Sequence, residues 1–186
     1  MRLWMAVFAV GCGSAPATKD TGPAVDTDDR VVQGPSETPD QVASSAVCLN
    51  ELMAVNDYAL VLEDGTSPDW VELHNPSEIA VSLDGWALDN EADGRSSPLD
   101  GLVVEPEDFL LLYASEGAQS GPEHLAFNLS SDGGSVFLKA PDGGGERMVF
   151  GRLEDDHSVA RDTDCCTEPD CLAHRYRGTP GESNRE

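Results

Sequence analysis

Basic residues are scarce in this chain of 186 residues: 11 Lys and Arg stand against 35 Asp and Glu, for a net charge of −24. General nucleic-acid binding needs Lys and Arg to displace phosphate counterions, so a nucleic-acid partner is not expected. A surface this acidic resists self-association and favours cations or basic partners. Aromatic residues are only 6% of the chain, and two of its three Trp fall close together at Trp70 and Trp86. No apolar run reaches the ~18 residues that a membrane-spanning helix requires. The usual signatures of catalysis are also missing. There is no HExxH, no glycine-rich phosphate loop and no nucleophile elbow, and no CxxC pair suggests a zinc ribbon. The reading from this is not an enzyme.

What the chain does contain is turn chemistry. Gly 18 and Pro 12 are high counts for a helical protein and point to many short strands. The N-terminal stretch has its own logic. Arg2 precedes an apolar run from Leu3 to Val10, then Gly11 and Cys12. A positive residue, an apolar stretch and small residues before a cut site are the parts of a secretory signal. Cys12 after Ala9-Val10-Gly11 resembles the lipobox of bacterial lipoproteins, although Ala9 stands where the lipobox has Leu. That resemblance implies a signal peptide over 1–11 and lipidation of Cys12. Residues 12–46 carry no aromatic side chain, are rich in Ser, Thr, Pro and Gly, and are made acidic by Asp20, Asp26, Asp28 and Asp29. Such a segment buries too little apolar area to offset the entropy of ordering, and reads as a disordered linker. As a flexible coil it would reach about 30 Å.

With Cys12 set aside, four cysteines remain: Cys48, Cys165, Cys166 and Cys171. An exported compartment permits disulfides. A Cys165–Cys166 bond between neighbours is strained. Cys48 is therefore expected to bond Cys165 or Cys166, with Cys171 taking the other. A zinc site using Cys165, Cys166 and Cys171 with His157 or His174 is the rival.

From residue 47 onward, short apolar segments alternate with Gly, Pro and Asp turns. Cys48–Val55, Asp69–Asn75, Leu83–Leu88, Phe109–Tyr113, Ser135–Lys139, Glu146–Phe150 and finally His157–Arg161 read as strands, with short apolar segments at Tyr58–Leu62 and His124–Leu129. Strict alternation in Asp69–Asn75 puts Trp70, Glu72 and His74 on one face and Val71, Leu73 and Asn75 on the other. A Glu and a His on one strand face could serve acid–base chemistry; a solvated strand face is the commoner use. The expected core anchors are Trp70, Leu73, Leu83, Trp86 and Leu88.

Several of these motifs occur in a specific order. Asn50-Glu51 comes first, then Asp69-Trp70-Val71-Glu72-Leu73-His74-Asn75, then Leu83-Asp84-Gly85-Trp86-Ala87-Leu88. Pro106 precedes the aliphatic run Phe109–Tyr113, and Thr179-Pro180-Gly181-Glu182-Ser183-Asn184 closes the chain. This order resembles the lamin tail domain family over residues 47–184. The resemblance implies an all-β, immunoglobulin-like β-sandwich with the Trp residues as core anchors, Asp69 bonding local backbone and Asn75 tying a turn.

Asp89, Glu91 and Asp93 alternate before Gly94, and Asp100 falls at the twelfth place of a calcium-loop spacing. Arg95 occupies the backbone-ligand position and Asp100 the place of a bidentate Glu, so the expectation is an acidic turn with at most weak calcium binding and otherwise no cofactor. The expected function is a non-catalytic binding or adaptor module, exported to the outer membrane or cell surface, or otherwise periplasmic or secreted. It would touch the membrane only through its lipid and engage an envelope component or protein partner. A calcium-dependent structural adhesin and an accessory module of an extracellular hydrolase or nuclease are the alternatives. Binding residues are expected on the loops Glu63–Pro68, Asp89–Asp100 and Ala114–Pro122.

Overall fold

The computed structural model describes residues 46–184, apart from 118 and 169. Cys12 and the linker expected over 12–46 lie outside the described residues, save for Ala46. The described residues form strands without a helix.

Twelve strands follow one another: β1 (Cys48–Met53), β2 (Asp69–His74), β3 (Val81–Ser82), β4 (Ala87–Asn90), β5 (Arg95–Pro98), β6 (Val103–Val104), β7 (Phe109–Ala114), β8 (His124–Leu125), β9 (Gly134–Lys139), β10 (Gly145–Phe150), β11 (His157–Arg161) and β12 (Leu172–Tyr176). A six-stranded sheet runs in the order β12-β11-β1-β2-β7-β8, and a four-stranded sheet in the order β10-β9-β4-β5. A two-stranded pair, β3 and β6, completes the set. All pairings are antiparallel except β7 with β8. The fold is an immunoglobulin-like β-sandwich.

Alternation builds the core between the sheets. Leu49 and Leu52 of β1, with Val71 and Leu73 of β2, meet Leu88 of β4 and Leu138 of β9 in one buried cluster. Trp86 and Leu83 belong to the same cluster. Trp70 is fully buried too, but it faces the other side of the six-stranded sheet, outside that cluster.

Leu83–Leu88 differs from the strand expected. Leu83 to Trp86 is a turn, closed by a bond from the Trp86 amide to the Leu83 carbonyl (2.9 Å), and β4 begins at Ala87. A second turn lies beside it, and two Asp residues lock the pair reciprocally. The Gly85 amide donates to Asp100 Oδ1 (2.7 Å), and the Gly101 amide donates to Asp84 Oδ1 (2.8 Å). Gly85 has a positive φ of 77°, which a side chain would strain. Tyr58–Leu62 forms bends, not a strand. The amides of Asp57, Tyr58 and Ala59 all donate to Asp156 Oδ1 at 2.8–2.9 Å. Only His124 and Leu125 of the His124–Leu129 segment are in a strand. His157–Arg161 is not the last strand, since β12 follows it and forms one edge of the large sheet.

Trp86 fills the core beside the doubly locked turns. Trp86→Ala is expected to cost about 3–5 kcal/mol, the range for truncating a buried Trp. Urea unfolding monitored by circular dichroism measures it; a variant as stable as the parent would contradict the anchor role.

Candidate functional site

The outer face of the six-stranded sheet, opposite the core, carries the polar residues of the signature motifs. A β-bulge starts it. Leu49 pairs with Leu73 and Glu51 pairs with Glu72, which leaves Asn50 as the extra residue of β1. A bulge re-aims side chains locally. Leu49 and Leu52 both remain in the core, while Asn50 and Glu51 both reach the outer face. Glu72 stands beside them. All three are fully buried, as is His74 nearly so. The face expected to be solvated is covered.

The cover is the C-terminal segment. The Thr179 amide and hydroxyl donate to Glu51 Oε2 at 3.0 and 2.9 Å. The Gly181 amide donates to Glu72 Oε2 at 2.7 Å. The Asn184 amide donates to Asp164 Oδ1 at 2.9 Å, and its side chain donates to the Asn50 carbonyl at 3.2 Å. Asn50 Nδ2 bridges Glu72 Oε1 (2.9 Å) and Asp164 Oδ1 (3.2 Å). Ser158 of β11 donates its hydroxyl to Glu51 Oε1. Three carboxyl groups thus each receive one backbone amide of the closing segment. Gly178 must be glycine here: its φ is 59°, and an added Cβ would lie 2.5 Å from Glu51 Oε1.

Burial sets the protonation of this network. Desolvation pushes Glu72 up to about 8 against the bonds from Asn50 and Gly181, and the charges of Glu51 and Asp164 push the same way. Burial likewise raises Glu51, outweighing its bonds to Ser158 and Thr179 and the positive charge of Arg175. Asp164 goes the other way: burial alone would raise it, but bonds from Ser183, Asn184 and Asn50 together hold it low. At neutral pH, therefore, Glu72 is largely protonated and Asp164 is ionised. The arrangement is closed by its own hydrogen bonds and serves as a structural clasp.

Other expected residues fall as follows. Asp69 Oδ1 accepts the Asn56 amide at 3.2 Å, and burial pushes its carboxyl up to about 6. Asn75 ties its turn as the family resemblance implies: its side-chain amide donates to the carbonyls of Ile79, Val104 and Glu105, and its oxygen accepts from Ser77. His74 stacks on Phe109 with ring centroids 4.3 Å apart, and its Nδ1 lies 3.1 Å from the Asp108 carbonyl. Glu72 and His74 thus share a strand face, but each is engaged elsewhere and sealed from solvent.

Cys48 is bonded to Cys165, which staples the start of β1 to the β11–β12 loop. Among the described residues Cys171 does not take a disulfide partner; it and Cys166 are free thiols. Cys171 Sγ instead lies 3.0 Å from the Cys166 carbonyl, and burial pushes its thiol up. The zinc alternative loses Cys165 to the staple. Among the described residues, no group of three or more His, Cys, Asp or Glu converges as a metal site.

The same holds for the calcium spacing. Asp89 and Asp93 belong to the β4–β5 hairpin, where Asp89 accepts from the Ser96 hydroxyl and Asp93 from the Arg95 amide (3.0 Å). Glu91 is paired with Arg147 and Ser135 on neighbouring strands. Asp100 sits in a different turn, holding Gly85. Strand alternation and local bonding send the four carboxylates apart, so Asp89, Glu91, Asp93 and Asp100 do not form one ligand set.

The three loops do come together. Gln119 Nε2 donates to Asp64 Oδ2 (2.9 Å) and Thr66 Oγ1 (3.0 Å), joining Ala114–Pro122 to Glu63–Pro68. Arg95 Nη1 reaches Glu116 Oε1 at 2.6 Å, and Asn128 Nδ2 donates to Glu116 Oε2 at 3.0 Å. An open depression lies on this rim, lined by Thr66, Ser67, Pro68, Ala114, Ser115 and Gln119.

Residues that the sequence did not single out carry much of this geometry. Asp164, Ser158 and Asp156 each satisfy buried or bent backbone, and Arg161 is buried with its Nε donating to the Leu49 carbonyl (2.9 Å) and its Nη2 paired with Glu146.

A buried carboxyl whose folded pKa is raised binds more protons than its unfolded form. Its stabilisation is present below about 4.3, the ordinary Glu value, and is lost as pH rises through about 8. Unfolding free energy should therefore fall from about pH 4.5 to about 8, with a slope of up to about 1.4 kcal/mol per pH unit for this one proton. Glu72→Gln should flatten that slope, measured by urea titrations across the range; an unchanged slope would contradict the assignment. The staple is checked by a non-reducing peptide map with fragment sequencing, which should join Cys48 to Cys165 and leave Cys166 and Cys171 open to alkylation. Reduction should cost up to ~4–5 kcal/mol for a loop of this length; free Cys48 in the oxidised protein would refute the staple.

The lamin tail domain family model matches residues 41–150, more than half of the chain. The match takes in β1 through β10, and β11, β12 and the covering segment follow it. No curated protein matches the chain. The motif order, the sandwich, the bulged Asn50-Glu51 pair and the family match agree, and the chain belongs to the lamin tail domain family.

Proposed function

We propose that this chain is a non-catalytic binding module, exported and held at a cell envelope by lipid on Cys12, which engages a protein or envelope component through the rim of Glu63–Pro68 and Ala114–Pro122. The observation that carries the reading is how the acidic side chains of the signature are used. Glu51, Glu72 and Asp164 are spent on the amides of the covering segment, so the residues with the chemistry for acid–base work close the fold. The rim, in contrast, is open and is held in one shape by Gln119, Asp64 and Thr66. Loops placed by a rigid scaffold are the common seat of recognition. A disulfide between Cys48 and Cys165 fits an oxidising, exported compartment.

The test has two parts. Mass spectrometry of the mature chain should find Cys12 as an acylated N-terminus; an unmodified Cys12 defeats the anchor. A photo-reactive residue at Ser67 should give a discrete cross-linked species in intact cells, and Gln119→Ala should abolish it. Equal cross-linking from Asp142, in the β9–β10 turn away from this rim, would contradict the assignment.

A further inference from the structure

β12 is an edge strand with its partner β11 on one side and no described strand on the other. The antiparallel register pairs Ala173 with Ala160 and Arg175 with Ser158, and the flanking bonds run from the Asp162 amide to the Cys171 carbonyl and from the Arg177 amide to the Asp156 carbonyl. Hydrogen-bonded pairs alternate along such a ladder. The main-chain groups of Ala173 and Arg175 therefore turn to β11, and those of Leu172, His174 and Tyr176 turn to the open side. A free edge of this kind is a template for another strand.

Each face of this edge opens onto a pocket. On the outer face the pocket is lined by Asp162, Ala173, His174, Arg175 and Asn184. Among the described residues the Arg175 guanidinium there is incompletely used: its one ion pair, to Asp162, is long at 3.9 Å, and its Nε has no hydrogen-bond partner. On the inner face a groove runs between the edges of the two sheets, bounded by Leu172 and Val149, with Val149 61% exposed. Tyr176, at the end of the same face, is 68% exposed. Side chains of an added strand alternate between two faces, and pockets at that spacing give specificity where main-chain bonds give affinity.

We propose that the open edge of β12 is a strand-addition site for an extended peptide of alternating acidic and aliphatic residues, its acidic side chains facing Arg175 and its aliphatic ones facing Leu172 and Val149. Charge complementarity selects this occupant. β12 and its exit carry Arg175 and Arg177 within a chain of net charge −24. A second copy pairing edge to edge would bring these same cations together. The site is separate from the loop rim and does not depend on its function.

The test adds a capped peptide of alternating glutamate and valine to the full, isotope-labelled chain. Amides of Leu172, His174 and Tyr176 should shift and gain protection from hydrogen exchange. Replacing glutamate by lysine in the peptide should weaken binding by roughly tenfold or more, and Arg175→Gln should erase that difference. His174→Pro removes an outward amide without touching a bond to β11, and should abolish binding in a folded protein. A peptide N-methylated at alternate residues should fail in the same way with the unaltered chain. No shift at about 1 mM peptide, or shifts confined to the loop rim, would overturn the proposal. So would concentration-dependent dimerisation lost in His174→Pro, which gives the edge to a second copy. Protection of these amides before any peptide is added would give it to the chain's own acidic 12–46 segment, and would equally overturn an external partner.

Discussion

A carboxylate buried without a partner costs far more than a sandwich of this size can spare. Three buried or half-buried carboxyl groups on the outer face of the large sheet meet that constraint together, Glu72 by holding its proton. Glu51, Glu72 and Asp164 are clothed by Asn50, Ser158, Ser183 and the amides of Thr179, Gly181 and Asn184. Motifs more than a hundred residues apart are thereby made one unit. Remove the closing segment and the three acids face water or one another; remove the acids and the segment has no reason to lie on the sheet.

The rest of the architecture follows from a sheet buried on both sides. β1 and β2 present Leu49, Leu52, Val71 and Leu73 to the core and Asn50, Glu51, Trp70 and Glu72 to the outer face. The bulge at Asn50 lets adjacent polar residues share that outer face without disturbing the leucines. The staple from Cys48 to Cys165 ties the β11–β12 loop to the start of β1, and Asn184 holds the end of the covering segment against Asn50 and Asp164. Asp156 serves the neighbouring bend: burial would raise its carboxyl, but the amides of Tyr58, Ala59 and Asp57 hold it low. Polar residues thus organise the outer face as leucines organise the inner one.

Part of this was legible from the residues alone. Alternation in Asp69–Asn75 separates two faces, and the ordered motifs imply the sandwich. Alternation does not say which faces are covered, so Glu72 and His74 read as solvated although both are buried. The cover lies far along the chain, and its main-chain amides, one to each acid, leave no mark in side-chain pattern. β12 escaped for a related reason: Leu172–Tyr176 mixes Leu, Ala, His, Arg and Tyr because an edge strand has little apolar area to bury. The calcium spacing misled because a linear count of oxygens ignores the hairpin between them. Cysteine counting narrowed the partners of Cys48 but wrongly assumed that every remaining thiol pairs.

Native-state hydrogen exchange measures the central interaction most directly. If the carboxylates hold the covering segment as part of the sandwich, the amides of Thr179, Gly181 and Asn184 exchange only through the same global opening that exposes Leu52 and Val71. Fast exchange of those three amides, with β1 and β2 still protected, would show a frayed tail and contradict the account.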